Sequence, residues 1–391
     1  MNNLTASLVL VSAFAVLGTT ACGSSDSHSG TPANGTKADT TVPPDDDAGN
    51  VDPTAPKACT DFHTSYPGDD HCIQPPPPDL GLQLHVGPED YDNPDALWIM
   101  QPGDEKTECY HITTPNDVGR YYFKQQYRMR PGSHHMIITT SNNPTQPEGW
   151  GPCQSSIISS VGGTQHTIED LPPGGIVPPE DEGLGRGLDA HTPLDLQLHF
   201  YNATDGVTLR EVWVNLIYKD KSEVTTNLGM LGGFAPVSVP PHTQTTVGGT
   251  CDISQALPAE STERIVTLFG HAHSHNTRFA VFWDHSDGSS DTVYDNYDWA
   301  EAPTYTYNTI VKNPVPDATA HTTGGWTGML VMQQGDRLRY SCDIDNMTDN
   351  TLVGTNEVFS GEMCNLFGSV AGLGFPCFKL PAGSAAPPAM P

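Results

Sequence analysis

Short runs of alternating apolar and polar residues, separated by Pro, Gly, Asn and Asp, fill the chain from residue 83 to residue 378. No segment carries a sustained helical apolar period. Successive side chains of a strand face opposite ways, so a period of two marks a half-buried strand. The runs at 121–128, 136–140, 194–201, 212–218, 265–269, 278–283, 329–333 and 337–344 all read as strands. A further alternating run opens at Gly81, after the prolines 75–78. The expected fold class is all-β, built of antiparallel, jelly-roll-like sandwiches. About 300 residues of this pattern exceed one ordinary core. Two consecutive sandwiches are expected, over 83–221 and 222–378, with the polar stretch 219–226 as the join.

The ends read differently. Residues 4–18 form an apolar run too short for a comfortable membrane span, so 1–21 reads as a signal peptide. The sequence before Cys22 is Leu17-Gly18-Thr19-Thr20-Ala21, which resembles a bacterial lipoprotein box with Thr19 in place of the usual Leu. Cys22 is the expected lipidation site. The implied location is the bacterial cell envelope, with Gly23 leaning toward the outer membrane or cell surface; plain secretion is the alternative. Residues 22–58 are polar, cannot bury a core, and are expected to be a disordered tether. Residues 59–82 form a Cys/Pro-rich lead-in, and 379–391 a disordered tail.

Nine cysteines less Cys22 leave an even number, as disulfides in an oxidising compartment require. The Pro67-Gly68 turn suits a local Cys59–Cys72 bridge. No C-x-x-C pair occurs, which argues against a thiolate zinc site. Lys and Arg number 17 against 46 Asp and Glu, a net charge of −29. That balance argues against nucleic-acid partners and leaves the anchor as the only expected membrane contact. A monomer is expected.

The candidate chemistry lies in histidines. Residues 268–276 read L-F-G-H-A-H-S-H-N. His271 and His273 are two apart, so on a strand they share a face and form a bidentate clamp for a metal. His275 continues that face, and reads as support for the ligands or as solvent-facing. His134 and His135 follow Pro131-Gly132. Neighbours on a regular strand point opposite ways, so both reach one metal only at a bend, which the Pro-Gly pair can supply. The strand 194–201 puts Leu194, Leu196, Leu198 and Phe200 on one face and Asp195, Gln197, His199 and Tyr201 on the other. Met363 sits among polar residues beside Cys364. Each feature alone has a plainer reading: a polar strand face, one His in and one out, a surface His, a core Met. No partner pattern assigns a role to His111, His166, His191, His242, His285 or His321.

Four motifs together resemble the copper type II, ascorbate-dependent monooxygenases, the group of peptidylglycine α-hydroxylating and dopamine β-monooxygenases. They are Ser133-His134-His135-Met136, Leu196-Gln197-Leu198-His199, His271-Ala272-His273, and Glu362-Met363-Cys364-Asn365-Leu366, in the family's order. The resemblance spans about residues 83–378. It implies two copper ions, one held by His134, His135 and His199 for electron transfer, the other by His271, His273 and Met363 for oxygen activation. It places Gln197 near the first. It implies Cys342–Cys364 and Cys251–Cys377 bridges. Cys109 and Cys153 are left over, and pairing them departs from the family. Peptide-hydroxylating members carry Arg at the position of Phe269 and Tyr at that of Phe367, while Asn365 is retained. These changes argue against a substrate bearing a C-terminal glycine carboxylate and for an apolar one.

Imidazoles with a thioether are not a closed structural zinc set, and a thioether selects Cu(I). The expected activity is hydroxylation of a C–H bond with O2 and an external reductant such as ascorbate, on a small-molecule or peptide substrate. A copper-binding or delivery lipoprotein without turnover needs the same ligands. An adhesion or carbohydrate-binding sandwich needs none of them.

Overall fold

The computed structural model describes residues 57–372 and 375–376, apart from 142, 144, 154–160, 165–182, 253–261, 301, 311–312, 314–325 and 327. The expected signal peptide, Cys22, the expected tether up to residue 56, Cys377 and the expected tail lie outside the described residues. So do His166 and His321.

The described secondary structure is strand, with two short 3-10 turns and no α-helix among the described residues. Every run expected to be a strand is one. Gly81–Val86, Val212–Lys219, Arg120–Met129 and Leu184–Leu188 pair side by side. Facing them is a sheet of Gly149–Gly151, Glu105–Thr113, Pro193–Tyr201, Ser133–Thr140 and Val161–Thr164. Between them lies an apolar core that includes Leu84, Tyr127, Met136, Leu196, Leu198, Phe200 and Val214. The apolar face foreseen for 194–201 points into it.

A second core lies between two further groups of strands. Thr226–Phe234, Cys364–Ala371 and Thr262–Ala272 form one layer. Thr243–Asp252, Arg337–Asn346, Asn276–Asp284 and Ser290–Asn296 form the other. Leu268, Leu366 and Val370 meet Phe279, Val281, Tyr340 and Ile344 in this core. Gly270 permits the contact, because a Cβ there would stand 2.4 Å from the Phe279 ring. A short parallel pairing, Thr226 with Leu184 and Asn227 with Gly185, runs the inner layers into one ten-stranded sheet. The polar stretch 219–226 crosses there, with a capped turn at Lys221–Glu223.

Eight of these strands lie outside the runs read from the sequence. Thr243–Asp252 is mostly Thr, Gln and Gly, and is held by a ten-residue ladder to Arg337–Asn346. Glu105–Thr113 is polar because one of its faces looks toward the site described below.

Three disulfides close as expected, at Cys59–Cys72, Cys109–Cys153 and Cys342–Cys364. Cys251 is also disulfide-bonded. The lead-in docks on Trp213 through Phe62 and Ile73. Buried Arg130 ties it down, with Nε 2.5 Å from Glu211 and a terminal nitrogen 3.0 Å from Asp69.

Candidate metal centre

The adjacent histidines sit on a β-bulge. Ser133 lies opposite Phe200 and His135 opposite His199, so two residues advance on one strand against one on the other. Gly132 enters this bend at φ +86°, a left-handed conformation that glycine adopts freely. The extra residue, His134, therefore swings to the same side as His135. Both rings are buried, with centroids 5.3 Å apart. His199, directly across the ladder, is 5.0 Å from each of them.

The other pair sits where a strand ends. Thr262–Ala272 stops just after His271, and His273 opens a tight turn whose carbonyl accepts the Asn276 N–H at 3.0 Å. His271 and His273 keep a common side, with ring centroids 5.3 Å apart. The neighbouring strand puts Asn365 opposite His271 and Cys364 opposite Ala272, so Met363 comes up beside His273. Asn365 Nδ2 donates to Met363 Sδ at 3.4 Å. The buried Glu362 carboxylate locks the arrangement, accepting N–H groups from His273 at 2.5 Å, Met363 at 2.8 Å and His275 at 3.1 Å. Burial pushes the Glu362 carboxyl up to about 7 against the pull of these donors.

The two pairs are one cluster. His134 lies 4.9 Å from His271 and 5.3 Å from His273, and His135 lies 4.7 Å from His271, between ring centroids. Ligand atoms of His134, His199 and His273 fall within 4.8 Å of one another, and so do those of His134, His135 and His271. Each close set mixes residues that the sequence divides between two centres, and His134 belongs to both. No local pattern reveals this convergence, because it depends on how the strands before and after residue 221 meet.

The cluster has the donor atoms to hold a metal ion. Buried nitrogens without partners occur on His134 (Nε2), His135 (Nδ1), His199 (Nδ1) and His271 (Nε2), and His273 has at most a contact with the Glu357 backbone. An orphaned buried polar atom costs about 1–3 kcal/mol, and five such rings in contact are hard to explain as packing. Burial, then the neighbouring imidazoles, hold His134, His135 and His271 well below their ordinary pKa. Burial and His199 bring His273 down to about 3. Neutral imidazoles with free lone pairs are metal ligands.

The remaining expected residues fall around the cluster. Gln197 hydrogen-bonds the His135 ring and reaches Cys153 Sγ at 3.6 Å. Phe269 and Phe367 stack at 5.3 Å, Phe234 meets Phe367 edge-on, and Phe367 lies 6.4 Å from His271. His275 hydrogen-bonds the Phe359 carbonyl at 3.0 Å and supports the turn.

Three features carry no sequence signal. Glu105 Oε1 is 2.9 Å from His199 Nε2 and accepts the Val358 N–H at 2.7 Å. Phe359 packs on Tyr201 at 4.4 Å, and on Trp299, which lies 5.9 Å from His134. His111, which had no expected role, forms a buried pair with Asp195 at 2.6 Å. No family model matches the chain, and no curated protein matches it.

Proposed function

We propose that this chain is a copper-dependent monooxygenase that hydroxylates a C–H bond of an apolar substrate, using O2 and an external reductant such as ascorbate. The observation that carries the reading is the cluster of five buried imidazoles with unpaired nitrogens. With Met363 close by, the donor set is nitrogen and a soft thioether, which suits copper in both oxidation states and suits calcium, magnesium or a thiolate zinc site poorly. The motifs that carry these residues resemble the ascorbate-dependent copper monooxygenases, in the same order along the chain.

By the motif resemblance His134, His135 and His199 would hold one copper and His271, His273 and Met363 a second, although the closest ligand sets, His134/His199/His273 and His134/His135/His271, cut across that division. Bound copper would supply the one-electron steps that reduce O2 and the oxidising power that removes a hydrogen atom from carbon. The protein does the rest. Gln197 holds the His135 ring, and Asn365 holds the thioether. The Glu362 carboxylate keeps the turn after His271 in register with Met363. Phe234, Phe269 and Phe367 form an aromatic wall beside His271 that excludes water and offers a substrate no charge partner. An Arg on that wall would favour a carboxylate; Phe269 favours a neutral, apolar molecule.

The chain would act outside the cytoplasm, held to the cell envelope through Cys22 and the tether. The test is O2 consumption by the copper-loaded protein with ascorbate, across a panel of apolar and glycine-extended peptide substrates. Substrate-stimulated uptake with the apolar set, lost in Met363→Ala, supports the reading. Stoichiometric copper without any substrate-dependent uptake would instead favour a binding or delivery protein.

A further inference from the structure

One carboxylate oxygen serves two elements at this site. Glu105 opens the strand Glu105–Thr113 opposite Tyr201, and Thr107 lies opposite His199, so Glu105 reaches His199 on the diagonal. Its Oε1 takes the His199 ring at 2.9 Å and the Val358 backbone N–H at 2.7 Å. Paired with this oxygen, His199 Nε2 is already engaged, while Nδ1 is buried and unpaired.

The Val358 peptide is gripped from both sides. Its N–H goes to Glu105, while its carbonyl accepts the Ser274 N–H at 3.2 Å and the Ser274 hydroxyl at 2.8 Å, just after His273. The next side chain, Phe359, covers Tyr201, two residues on from His199. The 354–362 loop is closed at its base by a bridge between Gly354 and Glu362 and leads directly to Met363. One short loop thus touches the strand of His199, the turn of His273 and the start of the Met363 strand.

We propose that Glu105 is a positioning residue that orients His199 for metal binding and seats the 354–362 loop with the same oxygen, so that closing the loop and assembling the histidine cluster are one event. The proposal rests on His199 being a metal ligand. Carboxylates that orient a ligating imidazole are worth about 10–100-fold in metal affinity. Losing a charged acceptor exposes an amide to exchange by about tenfold or more. Coupling is reciprocal, so metal binding must in turn tighten the loop.

The experiment measures Cu(I) affinity by competition with a chromophoric chelator, and amide hydrogen exchange over 354–362 with and without Cu(I). It compares wild type, Glu105→Ala and Glu105→Gln. Glu105→Ala should lose about 10–100-fold in affinity, exchange faster at Val358, and no longer show slowing of that amide by copper. Glu105→Gln keeps an acceptor oxygen at the same reach and should recover most of the protection and part of the affinity. Wild-type affinity in Glu105→Ala, or unchanged exchange at Val358, overturns the proposal. A wild type that binds no Cu(I) at all fails at the earlier step, the reading of His199 as a ligand.

Discussion

Acidifying the metal-free protein should destabilise it in a pH range where ordinary carboxylates are silent. In the unfolded chain an imidazole titrates near pH 6.5, so at about pH 5.5 it is about nine-tenths protonated. His273, brought down to about 3 by burial and its neighbours, stays neutral in the fold. A folded pKa below the unfolded one means that the unfolded state binds more protons, so stability falls as pH drops through 6.5. Between about pH 7.5 and about pH 5.5 this single histidine loses the fold about 1.4 kcal/mol. His134, His135 and His271 are held well below their ordinary value and add up to the same amount each, for about 5 kcal/mol in all. Glu362 opposes them. Its carboxyl, raised to about 7, takes up a proton in the fold before it does in the unfolded chain, which returns about 2 kcal/mol over the same range. Carboxyls held below their ordinary value, such as Asp69 and Asp284, contribute only below about pH 5. The net loss is about 3–4 kcal/mol, a large share of the roughly 5–15 kcal/mol typical of a folded domain. Urea unfolding of chelator-treated protein at the two pH values measures it. An unchanged midpoint would refute the claim that these imidazoles are buried and neutral.

Other consequences follow from the same geometry. Copper at about 100 times its Kd should raise the unfolding free energy by about 2.7 kcal/mol, and chelation should reverse the gain. Breaking Cys342–Cys364, with its sequence separation of 22, should cost about 3 kcal/mol and also weaken Cu(I) binding, because Met363 adjoins that bridge; a Cys342→Ser/Cys364→Ser double variant tests both. Gly270→Ala drives a methyl into the Phe279 ring and should cost about 1–3 kcal/mol in denaturant unfolding, with no change in the visible spectrum of copper. Phe269→Arg should weaken uptake of neutral apolar substrates at least tenfold in KM, as read from O2 consumption, since it buries a charge in the aromatic wall.

What the sequence made legible follows from distance along the chain. The strand 194–201, the H-x-H pair and the Pro-Gly bend before His134 are local patterns with fixed side-chain directions, and the fold keeps them. The bulge at His134 is that bend, one residue deep. His199 illustrates the limit. Its alternation marks a face away from the core, yet the ring is fully buried, because the loop 354–362 and the residues around His271 and His273 cover that face. Glu105 is 94 residues from His199, and Val358 is 253 from Glu105; no periodicity joins them. The division of the ligands into two sets came from motif order alone. The single cluster comes from the meeting of the two cores, which only the three-dimensional arrangement expresses.

Copper stoichiometry with X-ray absorption on the Cu(I)-loaded protein, for wild type and Met363→Ala, tests the central claim most directly. The account predicts two copper ions bound by nitrogen, with a copper–sulfur contribution that disappears in Met363→Ala along with the ion held by His271, His273 and Met363. A wild type that takes up one copper or none, or one with no sulfur contribution, would contradict it.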